Sequence, residues 1–131
     1  MSALTPNGRR ILLVEDDRHL RRACAESLRQ SGFTVIAAAD GDEGLRAAGK
    51  EAPDLILLDV LLPRLSGLAV LREIKADPTT REIPVLVISN SSKPQDIAEL
   101  MRLGAVDCLV KSNLSLVELT GRVVRLLETP A

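Results

Sequence analysis

Short apolar runs and longer amphipathic stretches alternate along this chain five times. Ile11–Val14 is an apolar run of strand length, closed at once by Glu15, Asp16 and Asp17. From Asp17 to Gln30, Leu20, Cys24 and Leu28 recur at i, i+4 and i+8, the spacing of a helix with one apolar stripe. Gly32 stands at the C′ position, and Phe33–Ala38 reads as a second strand. Asp40 is a candidate N-cap for a second helix running to about Lys50, with Glu43 as its capping-box partner. Pro53 stops that helix, and Asp54–Asp59 follows as strand three. The wholly apolar Leu55–Leu58 suits a strand covered on both faces of a parallel sheet.

Ser66 can cap a third helix to Ala76, with Leu68, Leu71 and Ile74 as its inward stripe. Asp77–Pro78 ends it. Val85–Ile88 is strand four, after Pro84, where a missing N–H is tolerated. Pro94 fits the first turn of a fourth helix that reaches Leu103 and stops at Gly104. Val106–Val110 is strand five, and Asn113 or Ser115 caps a last helix to about Glu128. Five strands alternating with five helices imply an α/β fold of the doubly wound kind. Its strands are parallel, its crossovers right-handed, and its helices lie on both faces. Strand two is the least oily and fits an edge. One domain over 10–128 is expected, with a flexible segment 1–9, a tail 129–131 and no output domain.

Polar residues interrupt this pattern in one kind of place. Val14 is followed by Glu15 and Asp16, Leu58 by Asp59, Ile88 by Ser89 and Asn90, and Val110 by Lys111. In an open parallel sheet the carboxyl ends of the strands share one edge, where ligands bind. Carboxylates gathered there repel one another, so one is protonated or a cation neutralises them. A site of oxygen donors without His or Cys favours a hard ion. Mg²⁺ suits it, since it binds through one or two carboxylates and phosphate oxygens, whereas Ca²⁺ wants more ligands. With Lys111 opposite, a phosphoryl group could be held from both sides and Asp59 could attack it.

The chain has 131 residues, enough for one domain with its own core. Apolar residues make up 46% and Phe33 is the only aromatic, so the core is aliphatic. Seventeen basic and eighteen acidic side chains give a charge of −1, which argues against a nucleic-acid binder. No apolar run is long enough to span a membrane. Cys24 and Cys108 have no metal or redox spacing and read as small buried hydrophobes in a reduced, cytoplasmic setting.

Taken in order, Ile-Leu-Leu-Val-Glu-Asp-Asp at 11–17, Pro-Asp-Leu-Ile-Leu-Leu-Asp at 53–59, Pro63 with Gly67, Ile-Pro-Val-Leu-Val-Ile-Ser at 83–89, Gly104–Ala105 and Lys111 resemble a two-component response-regulator receiver domain. The likeness runs from about Arg10 to Leu127. It implies the flavodoxin-like strand order 2-1-3-4-5. Asp59 then lies between the Glu15/Asp16 strand and the Ser89 strand, with Lys111 roughly 10 Å away, two strand spacings. The resemblance makes Asp59 the phosphoacceptor and Glu15 and Asp16 the acidic Mg²⁺ pair, with the Leu61 backbone carbonyl as a further metal contact. It makes Ser89 the hydroxyl that turns to the phosphate and Lys111 the phosphate-contacting lysine. The implied donor is a phosphohistidine on a sensor histidine kinase or a histidine phosphotransfer protein. The output is contact with a separate effector protein, and a weak homodimer is among the assemblies it allows.

Departures from the family pattern concern the switch. Cys108 stands where receivers usually carry Tyr or Phe, so the usual ring rotation has no ring. Ser112 replaces the usual proline of a cis peptide, and a cis bond before Ser would cost about 2.5–4 kcal/mol. Asn90 replaces a small residue. Plainer roles compete: Asp59 as a strand-end cap, Asp17 as a helix cap, Lys111 in a surface pair, His19 exposed without a catalytic partner. Arg18, Arg21, Arg22 and Arg29 read as a solvated helix face, or else as a docking face for an acidic partner. The alternative function is a phosphorylation-independent adaptor domain with this fold. A turnover phosphatase with an Asp nucleophile would want a second acid two residues on, where Leu61 stands.

Overall fold

The computed structural model describes residues 8–62 and 65–128. Pro63, residues 1–7 and the tail 129–131, each part of an expectation above, lie outside the described residues. Strands β1 (Arg10–Val14), β2 (Thr34–Ala38), β3 (Leu55–Asp59), β4 (Val85–Ser89) and β5 (Asp107–Val110) alternate with helices α1 (Arg18–Gln30), α2 (Gly41–Glu51), α3 (Gly67–Ala76), α4 (Pro94–Arg102) and α5 (Leu116–Glu128). A short 3₁₀ turn, Lys111–Asn113, follows β5. All strand pairs are parallel, in the order β2-β1-β3-β4-β5. That is the order the family resemblance implies.

Alternation along each strand divides the core into two layers. Ile11, Leu13, Leu55, Leu57, Leu86 and Ile88 pack with Cys24 and Leu28 of α1 and Leu119 and Val123 of α5. Leu12, Val14, Ile56, Leu58, Val85 and Val87 pack with Ala48 of α2, Leu71 and Ile74 of α3, and Leu100 of α4. Both faces are covered, which is why Leu55–Leu58 shows no polar alternation.

Helix boundaries follow capping chemistry. Asp17 caps α1, its Oδ1 accepting from the His19 and Leu20 amides at 2.9 and 3.0 Å. Ser66 caps α3 through the Ala69 amide, and Ser115, not Asn113, caps the last helix through the Glu118 amide. The Asp40 cap accepts from the Glu43 amide at 2.8 Å. Glu43 reaches back one residue further than a capping box requires, to the Ala39 amide. Gly104 ends α4 with φ +113°, a conformation that side chains with a Cβ avoid.

One burial expectation fails. Cys24 is buried, but Cys108 is only half-buried, because β5 is an edge strand without a neighbour on its far side. No helix among the described residues is long and apolar enough to cross a membrane.

Leu57 is fully buried in the central strand, whereas Val117 is 85% exposed. Leu57→Ala is expected to cost about 2–5 kcal/mol by urea denaturation, and Val117→Ala less than about 0.5 kcal/mol. Equal losses would contradict this layering.

Candidate functional site

The polar residues after β1, β3, β4 and β5 meet at one end of the sheet because the register aligns these strand ends. Val14 lies beside Leu58, Asp59 beside Ile88, and Ser89 beside Val110. The Glu15 amide continues the ladder by donating to the Ala38 carbonyl at 3.0 Å. Glu15 and Asp59 are thereby carried on adjacent strands, at the point where the aliphatic core ends.

Glu15, Asp16 and Asp59 each offer a carboxylate oxygen within 4.8 Å of the others. Glu15 and Asp59 are both 1% exposed, whereas Asp16 faces solvent. Lys111, carried past β5 on the 3₁₀ turn, donates from Nζ to Asp59 Oδ2 at 3.1 Å. It stands 3.7 Å from Glu15 Oε1. The other Asp59 oxygen, Oδ1, accepts from the Leu61 amide at 3.1 Å. Glu15 Oε2 accepts from the Asp17 amide at 3.0 Å. Glu15 Oε1 is buried and has no hydrogen-bond partner among the described residues.

These positions set the protonation energetics. Burial pushes the Glu15 carboxyl up to about 7, and the neighbouring Asp59 carboxylate adds to the rise; the Asp17 amide and Lys111 oppose it only in part. Burial alone would lower Lys111. Its hydrogen bond with Asp59 and the charges of Asp59, Glu15 and Asp16 outweigh that and hold the ammonium above its ordinary range. Asp17 belongs to the helix rather than the cluster: the Leu20 and His19 amides hold its carboxyl below the usual value.

Among the described residues, a single ammonium faces this group of carboxylates. The donors are all oxygen, and one buried oxygen lacks any hydrogen bond. That is a fit for a small hard divalent cation such as Mg²⁺.

The crossover after β3 is pressed against the site. The Gly67 amide donates to the Val60 carbonyl at 2.9 Å. A Cβ at Gly67 would come within 2.3 Å of the Asp59 carbonyl oxygen and 2.5 Å of Val60 Cα. Both are backbone atoms, so only glycine lets α3 start here.

Residues 11–123 match the family model of the response regulator receiver domain. The chain belongs to that family. It is 44% identical over 118 residues to the transcriptional activator protein PfeR of Pseudomonas aeruginosa, covering 90% of this chain and 37% of the relative. It is 40% identical over 118 residues to the transcriptional regulatory protein PrrA of Mycobacterium tuberculosis, covering 90% and 49%. The chain thus spans less than half the length of these curated relatives. The chemotaxis protein CheY4 of Vibrio cholerae superposes with a TM-score of 0.84 at 27% identity, covering 90% of this chain and 98% of that one. The receiver domain of sensor histidine kinase PA1611 from Pseudomonas aeruginosa, solved with a magnesium ion in its active site cleft, gives 0.83 at 32% identity, covering 93% and 99%.

In this receiver, Glu15, Asp16, Asp59 and Lys111 are brought together as the sequence suggested. Leu61 is adjacent, and its amide already holds Asp59. Ser89 stands at the end of the neighbouring strand, but its hydroxyl is engaged elsewhere. It donates to the Ser91 carbonyl at 3.2 Å and accepts from the Ser91 amide at 3.1 Å. Asn90 is exposed and lines a cavity of about 220 Å³ with Leu61, Leu68, Ser89 and Leu100. The Lys111–Ser112 peptide is trans. Sequence reasoning missed Arg21 as a site residue. Its Nη1 donates to the carbonyls of Glu15 and Asp16 at 2.9 and 3.2 Å.

Glu15→Gln removes one of the crowded negative charges without changing the side chain's size. In metal-free, chelator-treated buffer at neutral pH it is expected to stabilise the fold by about 1–2 kcal/mol, read by thermal and urea unfolding. A substitution that destabilised the metal-free protein would contradict the repulsion described here. Gly67→Ala should cost more than about 2 kcal/mol by the same assay, since the backbone of Asp59 and Val60 must move.

Proposed function

We propose that this receiver takes a phosphoryl group onto Asp59, in a Mg²⁺-dependent reaction, from a phosphohistidine of a sensor histidine kinase or a histidine phosphotransfer protein. The observation that carries the proposal is the enclosure of Asp59 between Lys111 Nζ at 3.1 Å and the carboxylates of Glu15 and Asp16. A strand-end cap would need neither.

An Asp59 carboxylate oxygen attacks phosphorus, the new P–O bond forms, and the P–N bond to the donor imidazole breaks with its electron pair going to nitrogen. The Leu61 amide and Lys111 hold the two carboxylate oxygens and so fix the orientation of the nucleophile. Lys111 also offers positive charge to the phosphoryl oxygens as they approach. Glu15, Asp16, Asp59 and the Leu61 backbone carbonyl would hold Mg²⁺, which supplies charge neutralisation for the transferring group. Ser89 would turn its hydroxyl from the Ser91 backbone toward the new phosphoryl group.

The product is the modified protein itself, so we assign a signalling role rather than enzymatic turnover. Leu61, two residues after Asp59, offers no second acid for catalysed hydrolysis. The receiver unit is proposed to span 10–128 and to signal through protein contact with a separate effector. A reduced, cytoplasmic setting is supported by the two free cysteines, Cys24 and Cys108. The adaptor alternative rests on Cys108 in place of a ring and on the engaged hydroxyl of Ser89.

Incubation with a small acyl phosphate donor and Mg²⁺ should add the mass of one phosphoryl group, read by intact mass spectrometry. Chelator and Asp59→Asn should each abolish the gain. Lys111→Met should slow it at least about tenfold, the scale of losing one electrostatic stabiliser. Unmodified protein under all conditions, with partner binding indifferent to Asp59→Asn, would favour the adaptor reading.

A further inference from the structure

We propose that Arg21 is a positioning residue for the acidic loop, setting Mg²⁺ affinity through the backbone of Glu15 and Asp16. This inference rests on the phosphoacceptor reading of the site. Arg18, Arg22 and Arg29 on α1 are exposed, and Arg29 turns its Nη2 to the Val35 carbonyl of β2 at 3.3 Å, away from the acidic loop. Arg21 is only half-exposed, and its Nη1 points back along the helix to the start of the loop. There it donates to the Glu15 carbonyl at 2.9 Å and the Asp16 carbonyl at 3.2 Å.

The bridge falls on the two residues whose side chains form the acidic pair. Other bonds fix the loop around it. The Glu15 amide is held by Ala38, the Asp17 amide by Glu15 Oε2, and the Arg21 amide donates to the Asp17 carbonyl at 2.8 Å. The two carbonyls between these anchors are held by one guanidinium. Rotating either peptide would swing the Glu15 or Asp16 Cα–Cβ bond and spread the carboxylates now gathered within 4.8 Å. Mg²⁺ demands near-ideal octahedral geometry, so a spread of that kind reduces affinity. Groups that orient metal ligands without touching the metal influence affinity in this way.

Coulomb's law alone makes the opposite prediction. A guanidinium near the cluster repels a dication, so its removal would tighten Mg²⁺ binding. The direction of the change therefore separates positioning from bulk charge. Arg22, the next residue on the same helix, is an exposed arginine that serves as the charge control.

The test is Mg²⁺ affinity by isothermal titration calorimetry for the wild type, Arg21→Met, Arg21→Lys and Arg22→Met. Amide hydrogen exchange of the metal-free proteins is measured in parallel. Arg21→Met should weaken Mg²⁺ binding about tenfold. Arg21→Lys, which keeps one donor arm, should recover part of the loss, and Arg22→Met should leave the affinity unchanged or slightly tighter. Without metal, the Asp16 and Asp17 amides should exchange faster in Arg21→Met than in the wild type. Phosphorylation of Arg21→Met should need a correspondingly higher Mg²⁺ concentration to reach half its maximal rate, the signature of a change in binding.

Tighter Mg²⁺ binding by Arg21→Met, or a loss no larger than that of Arg22→Met, would overturn the proposal, as would unchanged amide exchange. If Arg21→Met does not fold, Arg21→Lys carries the comparison, and affinity equal to wild type then counts against positioning. A wild-type protein that neither binds Mg²⁺ nor gains a phosphoryl group would instead overturn the phosphoacceptor reading, and the metal role of Arg21 with it.

Discussion

Two carboxylates withdrawn from water beside each other, with Lys111 as their ammonium among the described residues, are the constraint around which this receiver is arranged. Glu15 and Asp59 are as buried as the leucines beneath them. Burying an ionised carboxylate is expensive unless it is paired and hydrogen-bonded. Asp59 meets both conditions, with an amide on one oxygen and Lys111 on the other. Glu15 meets them for Oε2 only. The sheet order creates this situation, because β1 and β3 are neighbours and end at the same level. A shift in that register would separate the acids and remove the strain together with the site.

The aliphatic core supplies the rigidity needed to hold such a cluster. Three adjacent strands, β1, β3 and β4, are buried almost end to end, and helices press on them from both sides. Gly67 shows how closely the surroundings are fitted, since α3 begins in contact with the backbone of Asp59 itself. The stability of the fold and the placement of Asp59 therefore share the same atoms. Natural proteins concentrate local frustration at functional sites and compensate for it in the scaffold, and Glu15 Oε1 is the local instance here.

Much of this was legible in the sequence, for physical reasons. Apolar runs reveal strands buried on both faces, and an acid directly after such a run must lie at a strand end. The caps Asp17, Asp40 and Ser66 were readable because short polar side chains before an apolar stripe bond free amides. The strand order came from family likeness, as periodicity carries no information on which strands pair. Other features were hidden because they depend on direction rather than residue type. Nothing in the pattern tells Arg21 from Arg18, Arg22 or Arg29, yet only Arg21 lies one turn beyond the acidic loop with its guanidinium turned back onto it. The half-burial of Cys108 was equally invisible, since it follows from the edge position of β5.

The departures from the family pattern divide cleanly by location. The chemistry-bearing edge is intact: Lys111 reaches Asp59 across two strands with a trans peptide after it, because a 3₁₀ turn closed by the Leu114 amide on the Lys111 carbonyl folds the chain directly behind the lysine. The relay side is altered. Cys108 packs with the layer formed by α2, α3 and α4, and a thiol has neither the volume nor the planar shape of a ring that swings between two positions. Burial also raises the thiol pKa, with Asp107 adding to the rise, so the group is a neutral filler. Movement of Ser89 toward a phosphoryl group would have to break its paired contacts with the Ser91 backbone, and those contacts belong to the loop that leads into α4. A movement of Ser89 would therefore reach the surface first through the β4–α4 backbone, where the hydroxyl is already anchored, whereas Cys108 on β5 offers no ring to turn.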